Sequence, residues 1–127
     1  RADDVLRHGH KMDPRLAEQC RKGLAVSGSD YAAAQALARE CRAQLADAFG
    51  ACDVLLAAAA PGEAPEGISY TGDPIMNGVW TLLYTPCITV TAGKGPKGLP
   101  VGLQVVGRIA DDARVLAAAD WISRHLD

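Results

Sequence analysis

The stretch KGLPVGLQVVG, residues 97–107, has almost no charge and a single amide among its apolar residues. It is rich in Val and Leu and has glycines near both ends, which is typical of a β-strand entered and left through turns. One amide, that of Gln104, shares a strand face with Gly102, and on a covered face it would need a hydrogen-bond partner. We predict that Gln104 fastens a neighbouring loop to the sheet, with direct substrate contact as the alternative. Gly98 and Gly102 are predicted to permit the turn and close packing.

Two more strands are predicted upstream of this one. DVLLAA, residues 53–58, is apolar on both faces and precedes a Pro-Gly pair, as expected for a strand buried between two helical layers. CITVTAG, residues 87–93, is the next strand. About 30 residues separate these two strands, enough for a parallel crossover, whereas the roughly eight residues before the last strand allow only a hairpin. The predicted fold is α/β: a mixed β-sheet of about three strands, the last two an antiparallel hairpin, flanked by helices.

Two helices are predicted before the first strand. One begins at Asp13-Pro14 and is broken by SGS at residues 27–29. The other is capped by Asp30, is dominated by alanine and stops at Gly50. Five of its residues recur at steps of three and four and are predicted to form its packing face, namely Ala34, Leu37, Cys41, Leu45 and Ala48.

Two helices are predicted after the first strand. IMNGVWTLLYTP, residues 75–86, forms a short helix that stops before its final proline, because the residue preceding a proline avoids the helical conformation. Asp111 or Asp112 caps the last helix, whose packing stripe is Val115, Ala119, Ile122 and Leu126.

The N-terminal residues 1–11 are polar, weakly patterned and interpreted as a connecting segment. His8 and His10 stand there as His-x-His, but no nearby carboxylate or thiolate cluster completes a metal site, so none is predicted. We predict two parts: a connecting segment with a helix over residues 1–29, and an α/β portion over residues 30–127.

Composition narrows the partners of the chain. The net charge is −2 with both signs interspersed, and no basic patch is interleaved with aromatics, so nucleic acid is not predicted as a partner. The apolar run at residues 54–60 is far shorter than the roughly 20 residues that span a bilayer, so no membrane is predicted. Four separated cysteines are interpreted as small buried hydrophobes in a reducing cytoplasm, with metal binding or disulfides as alternatives: Cys20, Cys41, Cys52 and Cys87.

Three longer motifs carry a resemblance to a known family. They are DVLLAAAAPGEAPEG at 53–67, TGDPIMNGVWTLLYTPCITVTAG at 71–93 and GLPVGLQVVGRIADDARVLAAADWI at 98–122. Together they resemble the C-terminal part of the amidase signature family, serine hydrolases that cleave carboxylic amides. The resemblance implies part of an α/β/α sandwich and an acyl-enzyme mechanism run by a Ser-cis-Ser-Lys triad, without a cofactor. The chain departs from the family at Ala57-Ala58, where relatives commonly have threonine and proline.

The Gly/Ser-rich segment that carries the family's catalytic residues is missing from this sequence. Its four serines and four lysines are not joined by any such segment. Ser27-Gly28-Ser29 is interpreted as a turn or helix entry. No catalytic residue is therefore carried over, and residues 1–127 alone are predicted to be inactive.

Substrate contacts are predicted in the segment that opens the third helix. Ligands of such sheets gather at strand ends and in the loops beyond them. Asp73 is predicted to bind a polar group of the substrate. Asn77 and Trp80 are predicted to line the pocket. Ordinary roles are the alternatives, because Asp before Pro is common in turns and caps and Trp80 could be a core anchor.

Three hypotheses about function follow. The first is the C-terminal portion of an amidase acting on a small-molecule amide, with its triad outside this chain. The second is a binding or scaffolding domain of the same fold without chemistry. The third is the amidase subunit of a glutamine-dependent amidotransferase. A homo-oligomer is left open, and isolated residues 1–127 are predicted to self-associate or to be marginally stable, since they would expose apolar area and a strand edge.

Overall fold

The computed structural model describes residues 2–126, and the chain divides into two compact units after Arg39. The first unit is helical. The second contains the sheet and the helices that cover it. The predicted boundary between residues 29 and 30 stays a prediction.

The first unit begins with three helical segments, α1 (Ala2–His8), a 3-10 turn (Gly9–Lys11) and α2 (Pro14–Leu24). The predicted connecting segment is therefore helical from residue 2, and residue 1 lies outside the described residues. Val5 of α1 and Ala17 of α2 are buried, which gives this weakly patterned stretch an apolar contact. The predicted start of α2 is confirmed: a carboxylate oxygen of Asp13 accepts from the backbone N–H of Arg15 at 2.9 Å.

Helix α3 (Gly28–Phe49) begins three residues earlier than a cap at Asp30 allows. The Ser27 hydroxyl accepts from the backbone N–H of Asp30 at 3.0 Å and donates to the Asp30 carboxylate at 2.7 Å. The predicted cap at Asp30 is thus wrong, because Ser-x-x-Asp pairs a cap serine with an acidic residue in the first turn. The predicted end is confirmed, since Gly50 follows the helix with φ of +50°.

The predicted packing face of α3 is largely wrong. Leu45 and Phe49 are buried, whereas four predicted members are exposed: Ala34, Leu37, Cys41 and Ala48. Helical spacing alone allows several overlapping stripes on an alanine-rich helix. Phe49, the single phenylalanine of the chain and 1% exposed, lies on the stripe that is buried.

Three strands form the sheet: β1 (Leu55–Ala58), β2 (Cys87–Lys94) and β3 (Pro100–Val106), in the order β1-β3-β2. Both pairings are antiparallel, so the hairpin and the α/β class are confirmed, whereas the sheet is antiparallel rather than mixed because β3 lies between the two strands that run in the same direction. β1 and β2 run in the same direction with β3 between them. Consequently the C-terminal ends of β1 and β2 lie at the same end of the sheet as the start of β3.

Helix α5 (Asp112–Ser123) covers one face of the sheet. Val105 of β3 is fully buried against Val115 and Ala119, and Ile122 packs beside them, which confirms three members of the predicted stripe. The fourth, Leu126, lies beyond the end of α5 at Ser123 and outside this cluster, because the helix ends before the spacing reaches it. Gly107 lies so close to Val115 that a Cβ atom there would collide with the Val115 side chain. This face is a wholly apolar layer.

Helix α4 (Ile75–Leu83) lies on the other face. Its Leu83 is buried with Leu45 and Phe49 of α3, and Leu55 of β1 packs against this cluster. The left-handed residue Tyr84, with φ of +61°, ends the helix before Pro86, close to the predicted stop.

The cysteines occupy more exposed positions than the sequence suggested. All four are free thiols; Cys20 is half-buried, and the others are exposed: Cys41, Cys52 and Cys87. Their interpretation as buried hydrophobes is therefore wrong, because an apolar or helical sequence context does not show which positions are covered in the fold. Among the described residues, no helix is long and apolar enough to cross a membrane.

Candidate functional site

A cavity of about 660 Å³ opens at the end of the sheet where β1 and β2 terminate. Residues 59–65, which follow β1, and residues 70–74, which precede α4, form two of its walls. Asn77 of α4 and three residues of the hairpin complete the lining: Thr89, Pro100 and Gly102. Strand ends and the loops beyond them are where α/β sheets place their ligands, so this cavity is the candidate site.

Asp73 lines the cavity, as the sequence predicts for a substrate contact. One of its carboxylate oxygens accepts from the backbone N–H of Ile75 at 3.0 Å, which anchors the first turn of α4. The residue is exposed. Asp73 therefore combines an ordinary Asx-turn bond just before α4 with a position in the cavity, and its contact with substrate stays a prediction.

Asn77 and Gln104 form an amide chain that joins three elements. The Gln104 Nε2 donates to the Asn77 Oδ1 at 2.9 Å, and the Asn77 Nδ2 donates to the carbonyl of Ala59 at 3.4 Å. Strand β3, helix α4 and the segment after β1 are thus connected through two side chains. The bonding partner of Gln104 lies on a helix rather than on a loop.

The Gln104 amide is satisfied on only one side. The residue is 5% exposed, and its Oε1 has no hydrogen-bond partner among the described residues. A buried acceptor without a partner costs about 1–3 kcal/mol. The bond to Asn77 offsets part of that cost, and this arrangement favours the structural role that the sequence predicts for Gln104.

Trp80 lies apart from the cavity lining. It is half-buried and packs against the cluster of Leu45, Phe49 and Leu83. This is the core-anchor position named as the alternative in the sequence. Asp73 and Asn77 therefore both line the cavity, whereas Trp80 packs against the core and does not line it.

Glu63 was missed by sequence reasoning. Its carboxylate reaches the turn between β2 and β3, where Oε1 accepts from the backbone N–H groups of Lys97 at 3.0 Å and Leu99 at 2.9 Å. Oε2 also accepts from the Lys97 N–H, at 3.1 Å. A lone glutamate between Gly62 and Ala64 carries no signal for this contact, because its partners are more than 30 residues away and are backbone groups.

Two glycines of the hairpin have different requirements, close packing at Gly102 and backbone conformation at Gly98. A Cβ on Gly102 would stand 2.5 Å from the Cγ2 of Thr89 and 2.9 Å from the Cβ of Ala59, so only glycine fits without displacement. Gly98 has φ of +82°, a conformation that suits glycine in the tight turn before β3. These observations favour close packing as the role of Gly102 and the turn as the role of Gly98, and both roles stay predictions.

Arg108 was also missed, and it closes the end of α3. Its guanidinium donates to the carbonyls of Ala46 at 3.4 Å, Gly50 at 3.0 Å and Cys52 at 3.3 Å. It also lies over the Phe49 ring at 4.7 Å. Terminal helix carbonyls lack partners within the helix, so Arg108 satisfies groups that the fold would otherwise leave open. Its contacts are structural and lie outside the cavity.

Comparison with known proteins identifies the family. Residues 8–116 match the profile of the family described as Amidase, and the chain belongs to that family. The A subunit of glutamyl-tRNA(Gln) amidotransferase from Ralstonia nicotianae is 35% identical over 109 residues, covering 75% of this chain and 22% of the relative. The same subunit from Neisseria meningitidis is 33% identical over 104 residues, covering 76% of this chain and 21% of the relative. The chain thus spans about a fifth of the length of these curated relatives.

Solved structures agree with the family. A crystal structure of an amidase superposes with a TM-score of 0.84 at 30% identity, over 97% of this chain and 31% of that chain. A bacterial aryl acylamidase of the amidase signature family superposes with a TM-score of 0.66 at 24% identity, over 93% of this chain and 27% of that chain, which supports the fold alone. The resemblance stated from the three sequence motifs is confirmed.

Proposed function

We propose that residues 1–127 are the C-terminal portion of an amidase that hydrolyses carboxylic C–N bonds through a serine acyl-enzyme. The observation that carries the proposal is the cavity at the end of the sheet, whose walls are built by the first two family motifs in a chain of the amidase family. In this proposal the cavity holds the non-reacting part of a small-molecule amide. Asp73 and Asn77 contact or position it, and Trp80 supports α4 from the core.

The reacting groups are proposed to lie on polypeptide outside this chain. Ser27 and Ser29 are hydrogen-bonded to each other at 2.9 Å, but Ser27 also binds Asp30 as a helix cap. A Ser-cis-Ser-Lys triad needs a lysine to accept the proton of the bridging serine. The first-turn carboxylate of Asp30 occupies that environment instead, which favours a structural role for this pair.

A second candidate is the amidase subunit of a glutamine-dependent amidotransferase. It is favoured by the curated relatives, which are A subunits of glutamyl-tRNA(Gln) amidotransferase. The sequence GDPIMNGVWT at residues 72–81 is closer to free-standing amidases, because the aligned helix of that subunit tends to carry asparagine next to Leu-Ala-Gly. The two candidates differ in whether glutamine or another amide is consumed.

The experiment that tests the proposal uses the natural polypeptide in which residues 1–127 occur. We expect a Gly/Ser-rich segment with an upstream lysine in its reading frame, and hydrolysis of at least one of three probes: 4-nitroacetanilide, propionamide and L-glutamine. Replacement of the nucleophilic serine by alanine should abolish turnover, and residues 1–127 alone should show none. Serine-dependent hydrolysis by residues 1–127 alone would contradict the proposal. Turnover of L-glutamine alone among the three would favour the amidotransferase subunit.

We also propose a cytoplasmic location and self-association of the isolated segment. Four free thiols suit a reducing compartment.

Self-association is proposed because, in the described residues, β1 pairs with another strand on one side only. Leu56 of β1 is 55% exposed, and Trp121, which lines the same surface pocket, is 62% exposed. Such an edge favours association. Size-exclusion chromatography of residues 1–127 checks this, and a monodisperse monomer that melts cooperatively at high temperature would count against it.

A further inference from the structure

We propose that Glu63 is a positioning residue, whose carboxylate fixes residues 59–65 as a rigid wall of the cavity. The inference rests on the proposed function, because it assigns to this wall the binding of the amide. Glu63 lies within this wall. Its carboxylate accepts hydrogen bonds from backbone N–H groups of the turn between β2 and β3.

The turn is shaped to receive one carboxylate. The N–H of Gly98 donates to the carbonyl of Gly95 at 2.9 Å, and the N–H of Gly95 donates to the carbonyl of Leu99 at 2.9 Å. This folding leaves the N–H groups of Lys97 and Leu99 converging on the same oxygen of Glu63. Hydrogen bonds to an ionised acceptor are roughly twice as strong as neutral ones, so two backbone donors hold this side chain firmly.

The Glu63 side chain passes close to Gly95, in space that is open only because glycine has no Cβ atom. A Cβ atom at position 95 would collide with the Cγ of Glu63 and stand 2.5 Å from its Cδ. The φ of Gly95 lies outside the left-handed region, so the absence of a side chain there serves space rather than backbone conformation. Gly95→Ala therefore displaces the Glu63 side chain without altering its chemistry.

The wall needs such a fastening because it is irregular. Residues 59–65 contain two prolines and one glycine and form no helix or strand. At its start, the N–H of Ala59 donates to the carbonyl of Gly102 at 3.0 Å, which continues the strand pairing by one residue. Glu63 adds a second fastening four residues further on. A wall held at two points presents one shape to a ligand, which lowers the cost of ordering it on binding.

The test uses five variants of the natural polypeptide: Glu63→Ala, Glu63→Gln, Gly95→Ala, the double variant Glu63→Ala/Gly95→Ala and the matched control Glu66→Ala. Glu66 is an exposed carboxylate three residues away that does not line the cavity. The first readout is hydrogen exchange of peptides over residues 59–65 and 95–99. The second is steady-state kinetics with whichever of 4-nitroacetanilide, propionamide and L-glutamine the wild type hydrolyses.

We expect Glu63→Ala and Gly95→Ala to raise exchange in both peptides and to raise KM about tenfold, with kcat changed less than about threefold, because the wall binds the ground state and transition state alike. Glu63→Gln should lie between them and the wild type, since its amide oxygen still accepts while the charge is lost. The double variant should be no worse than Glu63→Ala alone, because both changes remove one contact. Glu66→Ala should match the wild type.

The proposal is overturned if Glu63→Ala leaves exchange and KM at wild-type values, or if the two effects add in the double variant. A fall in kcat at unchanged KM also overturns it. If the wild type hydrolyses none of the three amides, the proposed function fails, and the exchange data still decide whether Glu63 holds the wall.

Discussion

Helices α5 and α4 cover opposite faces of the same three strands, and the two faces are built differently. The α5 face is a layer of aliphatic side chains in which Val105, Val115 and Ala119 are buried together. The α4 face is apolar at one end, around Phe49, and polar at the other, where Gln104 and Asn77 are joined by a hydrogen bond. The cavity opens on the polar end. Stability is therefore expected to come chiefly from one face, and ligand contact from the other.

An isosteric exchange between valine and threonine gives the largest expected difference between the faces. Val105→Thr buries a hydroxyl where Val115 and Ala119 offer no partner, and should lower the free energy of unfolding by about 2 kcal/mol. The reverse exchange, Thr89→Val at an exposed position, should change it by less than about 0.5 kcal/mol. Urea denaturation of the natural polypeptide measures both. Equal losses in the free energy of unfolding for the two variants would contradict the expected difference between the two faces.

Close packing beneath the cavity gives the next effect. Gly102→Ala places a methyl group 2.5 Å from the Thr89 Cγ2, and overpacking should lower the free energy of unfolding by about 1.5 kcal/mol. Adding Thr89→Ser removes the colliding methyl and should restore part of the loss. The double variant in urea denaturation is the check, and no recovery would mean that the collision with Ala59 dominates.

Removal of the buried amide should cost less. Gln104→Leu leaves Asn77 without its donor but also eliminates the unpaired Oε1, so the net loss should be about 1 kcal/mol. A double-mutant cycle with Asn77→Ala measures the coupling of the pair. Additive losses would show that the bond does not link α4 to β3 energetically. A KM that rises with Asn77→Ala alone would favour direct contact with the amide.

The smallest effect is expected at a surface ion pair. The pKa of Arg114 is raised by its hydrogen bonds to Asp111 and Asp53, which link the start of α5 to the segment before β1. Arg114→Gln should lower the melting temperature slightly at low salt and not at high salt, because exposed pairs are screened. Because the pKa of Arg114 is raised, the contribution of these ion pairs is fully present below the ordinary arginine pKa and is lost only as pH rises through the folded-state pKa, so it should be constant through neutral pH. A pH-dependent loss near neutrality would contradict this.

Local patterns in the sequence predicted the parts that local physics controls. The hairpin followed from a connection too short for any other return, and the packed stripe of α5 followed from Val115, Ala119 and Ile122 at helical spacing. Gly50 and Asp13 marked helix ends because their backbone and side-chain preferences act within one turn. The three family motifs added the fold class and the family.

Other features could not be predicted because they depend on distant partners. The face of α3 that is buried is the one carrying Phe49, and no spacing rule distinguished it from the exposed stripe through Leu37. Trp80 was singled out for its aromatic ring, yet whether such a ring lines a cavity or fills a core depends on how α4 rotates against the sheet. The Ser27 cap was hidden because the serine was assigned to a break between helices.

The three strands, the helices from α2 onward, the antiparallel hairpin and membership of the amidase family were predictable from the sequence, since each depends on short-range pattern or on shared motifs. The helical form of residues 2–11, the position of β3 between β1 and β2, the pairing of Gln104 with Asn77 and the contact of Glu63 with the hairpin turn required the three-dimensional structure. The reason is physical: these contacts join groups 27 to 51 residues apart along the chain, and their partners are selected by the geometry of packing rather than by neighbouring residues.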